Sequence, residues 1–387
     1  MSDQRRLTVC YFGTYRDTYS RNVNMIEGLR LAGVVVLECH HTLWKGIEDR
    51  VAATAGGWLR PRFWMRVLGA YLKLIGQYRK ISEYDILIVG YPGQFDVFLA
   101  WLLARIAGKP LIWDVFMSIV LIAEERGLEQ RSRFTVRLLK FFEGFALRLP
   151  DLLIQDTQEY AAWLAERYRV ALSKFRLVPT GADDRYFQPR DGTPKPADGV
   201  EEQHSLFRVI YYGTFIPNHG LATIVGAAKL LKDQHQIRFE LIGTGPDRAL
   251  AEKLVEQFSL TNVHFTDWLE KPRLVERIRQ ADVCLGAFGN TPQSLMTIQN
   301  KIFEGMALGM AVLSGDSPAA RRVFRHTEQI YLCPRTAEGL AAGINVLRGD
   351  SALRLRLVRN GLSLFRDRYN LKRIGEVFAS HLASLGK

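Results

Sequence analysis

VIYYGTFIPNHGLATIVGAAKLL (209–231) is the stretch from which the fold can be read. Four apolar residues run into Gly213, a short loop follows from Thr214 to His219, and from Gly220 apolar residues recur at helical spacing. That is a strand, a glycine turn and a helix, the opening of a β-α-β unit. Gly213 lets the backbone approach a ligand, and the helix start offers N–H groups and a positive dipole end to an anion. Taken alone, Gly213 and Gly220 equally suit an ordinary tight turn. FELIGTGPD (239–247) repeats the arrangement, with Gly243 closing its strand. A dinucleotide fingerprint needs a third glycine where Arg248 stands, so a nicotinamide cofactor is weakly indicated and a turn bordering a nucleotide stays open.

Outward from this segment the same alternation continues. NVHFTDW (262–268), ADVCLGAF (281–288), MAVLSG (310–315) and QIYLCP (329–334) read as strands separated by helices. The first half has its own set: RLTVCYFGT (6–14), VVVLECH (34–40), DILIVGYPG (85–93), PLIWDVF (110–116) and DLLIQDT (151–157), with helices over about 20–32 and 61–80. Between the halves, RDGTPKPADGVEEQHS (190–205) is rich in Pro, Gly and charge and reads as a linker. Two successive α/β units with parallel sheets follow, and ligands are expected beyond the carboxyl ends of their strands.

Composition narrows the classes. The 387 residues carry 52 Lys and Arg against 40 Asp and Glu, a net charge of +12. At 48% hydrophobic and 24% charged the chain is globular rather than disordered. The basic excess admits nucleic acid, an anionic membrane or a phosphorylated small molecule. No zinc-finger spacing, RNA-binding aromatic motif or long basic tail supports nucleic acid. The most apolar runs, 95–108 and 111–123, fall short of ~18–20 uninterrupted apolar residues and contain charge, so no membrane span is expected. Cys10, Cys39, Cys284 and Cys333 show neither metal nor disulfide spacing, which suits a reduced cytoplasmic compartment. MSDQRRLTVCYFG lacks the apolar core and cleavage site of a secretory signal.

TIQNKIFEGMALGMAVLSG (297–315) follows the strand ADVCLGAF through a polar loop. Lys301 and Glu304 lie three apart, on one face of its helix. A carboxylate can accept two hydrogen bonds from a ribose diol, and the Lys can neutralise a diphosphate. An exposed ion pair would show the same spacing. In VPTGADDRYFQP (178–189), Asp183 and Asp184 read as turn residues before they read as metal ligands.

Together these segments resemble the retaining, nucleotide-sugar-dependent glycosyltransferases of family 4 (glycosyl transferases group 1), which have the GT-B fold. LVPTGADDRYFQP is similar to the family's inter-domain segment, YYGTFIPNHG to its phosphate loop and ELIGTGP to the next strand and turn. VHFTDWLEKPRLVERIRQADVCLGAF resembles its nucleobase strand with the helix and strand beyond, and NKIFEGMALGMAVLSG its sugar-nucleotide helix. The resemblance covers most of the chain and is strongest across about 176–345.

The resemblance implies two Rossmann-like parallel-sheet domains facing across a cleft. Residues 1–190 would bind the acceptor, 205–365 the nucleotide sugar, and 366–387 would form a C-terminal helix returning to the first domain. It implies donor contacts from Gly213, Thr214, His219, Gly243, Asn300, Lys301 and Glu304, with Glu304 on the ribose and Trp268 and Leu269 at the base. Catalysis would be electrostatic, with Lys301 at the departing diphosphate, no metal, and no cofactor beyond the nucleotide-diphosphate sugar as co-substrate. Two departures stand out. Met296 occupies the place where the family often carries a first Glu, and Thr214 and His219 stand where it commonly has Arg and Lys.

On the acceptor side, Gly13 and Thr14 end the first strand, and Arg16 and Arg21 follow, placed for a phosphate or an acidic sugar. Asp114 closes the strand PLIWD, where it either orients or deprotonates an acceptor hydroxyl or caps a helix. RPRFWMRVLGAYLKLIGQYRK (60–80) has an apolar stripe, several basic residues and no carboxylate. It suits a helix lying on anionic lipid, or one that covers its own sheet. The expected activity is sugar transfer to a glycan or lipid-linked acceptor in cell-surface polysaccharide or glycolipid synthesis. It would take place in the cytoplasm, at the inner face of the membrane. The alternatives are a nucleotide-sugar epimerase on the same fold and a non-catalytic partner in a glycan-assembly complex.

Overall fold

A computed structural model describes residues 6–43, 61–189 and 206–385. The chain forms two compact units, one from the residues up to Thr180 together with Leu371 onward, the other from Gly181–Asn370.

The first unit runs β1 (Thr8–Gly13), α1 (Ser20–Leu31), β2 (Val35–His40), α2 (Pro61–Tyr78), β3 (Ile86–Val89), α3 (Asp96–Ala107) and β4 (Leu111–Asp114). Then come α4 (Ile119–Glu125), α5 (Leu128–Arg131), α6 (Arg133–Ala146), β5 (Leu152–Gln155), α7 (Gln158–Tyr168) and β6 (Phe175–Leu177). All its strand pairs are parallel, in the order β2-β1-β3-β4-β5-β6. β3, β4 and β5 are buried along their whole length, as strands covered on both faces are, which is why they appear in the sequence as unbroken apolar runs. The order reverses between β1 and β3, so the carboxyl-edge crevice of this sheet opens after those two strands.

The second unit runs β7 (Phe207–Tyr212), α8 (Leu221–Leu230), β8 (Ile237–Ile242), α9 (Arg248–Gln257), β9 (Val263–Thr266), α10 (Lys271–Ile278), β10 (Val283–Leu285) and α11 (Pro292–Met296). It continues with α12 (Asn300–Ala307), β11 (Ala311–Gly315), α13 (Pro318–Val323), β12 (Tyr331–Cys333), α14 (Ala337–Gly349) and α15 (Ser351–Arg368). Its parallel order, β12-β11-β10-β7-β8-β9, turns at β7/β10. Helices α13, α14 and α15 of this unit start where side chains cap them. Ser317, Thr336 and Asp350 accept from backbone N–H groups three residues on, at 3.1, 3.0 and 2.7 Å.

The last helix, α16 (Leu371–Ala383), belongs to the first unit. It crosses α1 with the backbones nearly touching: a Cβ on Gly375 would lie 1.7 Å from the Gly28 carbonyl oxygen. Ile374, Phe378 and Leu382 join Met25, Ile26 and Leu29 in the core on that face of the sheet.

The boundaries differ from those expected at 190, 205 and 366. Residues 181–189 belong to the second unit, because Ala182 and Phe187 enter its core and the Ala182 N–H donates to the Tyr369 carbonyl at 3.2 Å. The helical tail breaks at Tyr369–Asn370, so the returning helix begins at 371. The linker expected over 190–205 lies outside the described residues.

Candidate donor and acceptor sites

In the second unit, three chain segments meet where the strand order turns. Gly213 follows β7 at φ +125°, and the Lys301 ammonium stands 3.4 Å from where its Cβ would be. Gly243 is closed to side chains for another reason: a Cβ there would come within 2.0 Å of the Gly213 carbonyl oxygen. The glycines of the second loop therefore seat it against the first.

His219 ends a short 3₁₀ turn, Pro217–His219, ahead of α8. Its Nδ1 is 2.7 Å from the Thr214 carbonyl and 2.8 Å from the Tyr211 hydroxyl. A carbonyl can only accept, so Nδ1 is assigned the proton. Burial and the neighbouring Lys301 hold the ring well below the ordinary histidine range, so at neutral pH His219 is uncharged.

Lys301, in the first turn of α12, is buried. Its Nζ lies 3.9 Å above the Tyr211 ring and 3.5 Å from His219 Nδ1. Burial pushes its pKa down to about 7, against the pull of Glu304. Glu304, one turn on, is half-buried and pushed up to about 7 by burial. The Tyr212 hydroxyl, Lys301 and Lys271 favour its charged form, and Asp183 opposes it. The Tyr212 hydroxyl also donates to the Lys301 carbonyl at 3.2 Å. Asn300 opens the same helix, half-buried. Gly213, Thr214, His219 and Lys301 are thus brought together, with Gly243 behind the loop and Glu304 a turn away.

Beyond β9, Thr266, Leu269, Pro272, Arg273, Glu276 and Arg277 line a cavity of about 550 Å³. Leu269 is part of it, but Trp268 is not, being 59% exposed.

The first unit treats its expected site residues differently. Thr14 donates to the Asp96 carboxylate from its backbone N–H at 2.6 Å and from its hydroxyl at 3.0 Å. Asp96 also receives the Tyr71 hydroxyl at 2.7 Å. The loop after β1 is thereby tied to the start of α3, across the turning point of this sheet, and a Cβ on Gly13 would lie 2.8 Å from the same carboxylate. Arg16 is half-buried near this loop. Arg21 and Asp114 correct the expectation. They form a bidentate pair at 2.8–2.9 Å with both side chains at 0% exposure, and Arg21 also donates to the Val178 carbonyl at 2.8 Å. The Arg21 donors are consumed inside the unit, and both Asp114 oxygens are spent on Arg21. Neither residue is placed to meet an acceptor.

Residues 207–350 match the family model of the glycosyl transferases group 1. The second unit is a glycosyl transferases group 1 domain. No curated protein matches the chain in sequence. Among solved structures, sucrose-phosphate synthase from Thermosynechococcus elongatus superposes with a TM-score of 0.74 at 18% identity, over 98% of this chain and 99% of that one. Anabaena HepE in complex with UDP gives 0.68 at 15% identity, over 98% and 100%. TarM of S. aureus gives 0.59 at 12% identity, over 80% and 58%. These likenesses are of fold, and the fold is GT-B, two Rossmann-like α/β units.

Three residues around these sites carry no local signal in the sequence. In the transferase domain, buried Arg335 donates to the Asp316 carbonyl at 2.7 Å, to the Ser294 hydroxyl at 2.9 Å and carbonyl at 3.2 Å, and to the Gly289 carbonyl. The Ser294 hydroxyl in turn donates to the Asn218 carbonyl at 2.5 Å. One guanidinium thus pins the loops after β10 and β11 and, through Ser294, the turn that carries His219. In the first unit Asp96 is one such residue and Asp156 the other. Asp156 follows β5 beside Arg21, and burial pushes it up to about 7 against the Arg21 charge. Among the described residues, no group of three or more His, Cys, Asp or Glu side chains is placed to hold a metal ion, and no helix is long and apolar enough to cross a membrane.

Proposed function

We propose that the protein is a retaining glycosyltransferase that moves a sugar from a nucleotide-diphosphate donor to a glycan or lipid-linked acceptor, in cell-surface polysaccharide or glycolipid synthesis. The observation that carries this is the Lys301 ammonium, buried against Tyr211 and beside the Gly213–Thr214 loop at the turning point of a group 1 domain. A cation held there with little solvent stabilises the charge that builds on a departing diphosphate. With Lys301 and the amides of the loop and the α12 start supplying that charge, the reaction calls for no metal ion. His219 adds a neutral, oriented ring rather than a second cation. Glu304 takes the ribose diol, and the cavity at Leu269 takes the base. The acceptor is assigned to the first unit, near Thr14 and Arg16, and the protein to the cytoplasmic side of the membrane.

Relatives of this fold direct the first experiment. HepE has been solved with UDP and with UDP-glucose, and TarM with UDP. Calorimetry with a panel of nucleoside diphosphates, UDP first, should give saturable binding that Lys301→Met weakens. A chain that binds none of them is not a nucleotide-sugar transferase. NMR of the first-formed product then reads the anomeric configuration, and inversion would refute the retaining assignment.

A further inference from the structure

The first unit has an apolar face that the described residues leave exposed. Helix α3, DVFLAWLLARIA, is apolar almost all round. Val97, Ala100 and Ala104 bury its inner side, yet its outer side has Leu102 at 50% and Ile106 at 76% exposure. A helix apolar on both sides belongs between two apolar layers, and only one of them is protein here. Beside it, α6 has its order inverted. Its one carboxylate, Glu143, is buried under the Ser118 hydroxyl, the Ile119 N–H and the Tyr168 hydroxyl, while Phe134 and Phe141, seven apart, are 70% and 68% exposed. The two helices are joined by Phe98, stacked on Phe145 at 5.9 Å and edge-on to Phe142 at 6.3 Å. On the other side Tyr71 ties α2 to Asp96, and α2 turns out Met65, Leu68 and Leu72, at i, i+3 and i+7.

Charge selects what covers this face. The carboxylates of the three helices are Asp96 and Glu143, both buried. The exposed charges among their described residues are all basic: Arg66, Lys73, Arg105, Arg133, Arg137 and Lys140. A second copy docking by the same face would bring six like charges against these six. A bilayer with anionic headgroups satisfies both features at once, since apolar side chains enter the acyl boundary and the cations meet the headgroups. We propose that the outer faces of α2, α3 and α6 dock the protein on an anionic lipid bilayer. The surface expected from the sequence at 60–80 is then one third of a wider one. The proposal goes beyond sugar transfer and stands without it.

The test is sedimentation of the intact protein with vesicles of phosphatidylcholine alone, and with about 30% phosphatidylglycerol added. Binding should require the anionic lipid. The triple variant R133Q/R137Q/K140Q should bind about 100-fold more weakly. Phe134→Ser with Phe141→Ser should lose about 10-fold or more. These side chains are exposed, so melting temperature and nucleotide binding should stay at wild-type values and serve as the folding control. Light scattering should give a monomer mass for the wild type and the variants. The proposal is overturned if the protein ignores anionic vesicles, or if folded variants bind as well as wild type. A dimer that separates when Phe134 and Phe141 are replaced would overturn it in favour of a second copy. None of these outcomes bears on the donor site, which calorimetry reads separately.

Discussion

Lys301→Met tests the donor site most directly. Lys301 is 5% exposed, rests on the Tyr211 ring, and is pushed by burial down to about 7. Near neutral pH the ammonium is therefore charged in about half of the molecules. A diphosphate binds the charged form, so binding should draw in about half a proton near pH 7 and approach one proton near pH 9. Affinity should fall about tenfold per pH unit over that range. Methionine keeps the length and covers the Tyr211 ring, but forfeits a charge-assisted hydrogen bond worth about 1.5–3 kcal/mol. The variant should bind a nucleoside diphosphate about 10- to 150-fold more weakly near pH 7, with no alkaline slope and no proton uptake. Calorimetry in two buffers of different ionisation enthalpy measures affinity and proton uptake together. The alkaline limb is the decisive one, because the terminal phosphate itself titrates at about pH 6. Wild-type affinity that is flat from about pH 7 to 9, or an equal slope in the variant, would refute the reasoning.

Burial makes Glu304 bind its proton more tightly in the folded chain than an ordinary glutamate does, up to about 7. Its contribution to stability is therefore largest below about 4.5 and lost as pH rises through about 7, and urea titrations across that window should flatten in Glu304→Gln. Asp114→Ala leaves the Arg21 charge buried without its partner and should cost about 3–5 kcal/mol in denaturant unfolding. A variant of wild-type stability would contradict the pairing. Arg335→Ala removes the donor from the buried Gly289 and Ser294 carbonyls and the part-buried Asp316 carbonyl, each worth about 1–3 kcal/mol when water cannot replace the lost partner. A lowered melting temperature and weaker nucleotide binding should appear together, and a stable variant with normal affinity would show that the clamp does not position the loop.

Much of the fold is legible because parallel strands buried on both faces must be continuous apolar runs, and each such run in the second half forms a strand. β6 is different. Phe175-Arg176-Leu177 is a three-residue edge strand, only Phe175 is buried, and nothing separates it from a loop by pattern. The boundaries were misplaced for a tertiary reason. The break at Tyr369–Asn370 sits inside a periodic helical sequence, and the Tyr369 carbonyl is taken by Ala182, far away in the chain. Composition marked 190–205 as the linker, yet the contacts of Ala182 and Phe187 move the division to 180/181.

The same distinction separates the two sites. The residues proposed for the donor give local signals: a glycine at each strand end, and a Lys and a Glu one turn apart on one helix. Asp114 offered an equally local signal, a carboxylate at the end of a buried strand, and it misled because its partner lies 93 positions away. The partner decides what a strand-end charge can do. Asp114 meets a bidentate guanidinium in a region closed to solvent, so its charge is already neutralised, and leaving Arg21 for a substrate would strand a buried cation. Lys301 meets the face of a ring and a histidine N–H that is itself a donor, and neither accepts its protons. The Glu304 charge and the Tyr211 ring offset its burial only in part, and an arriving anion would add the hydrogen-bond acceptor that these do not supply. The ion pair is part of the scaffold, whereas the lysine, on the proposed function, is the charge that a donor diphosphate would meet.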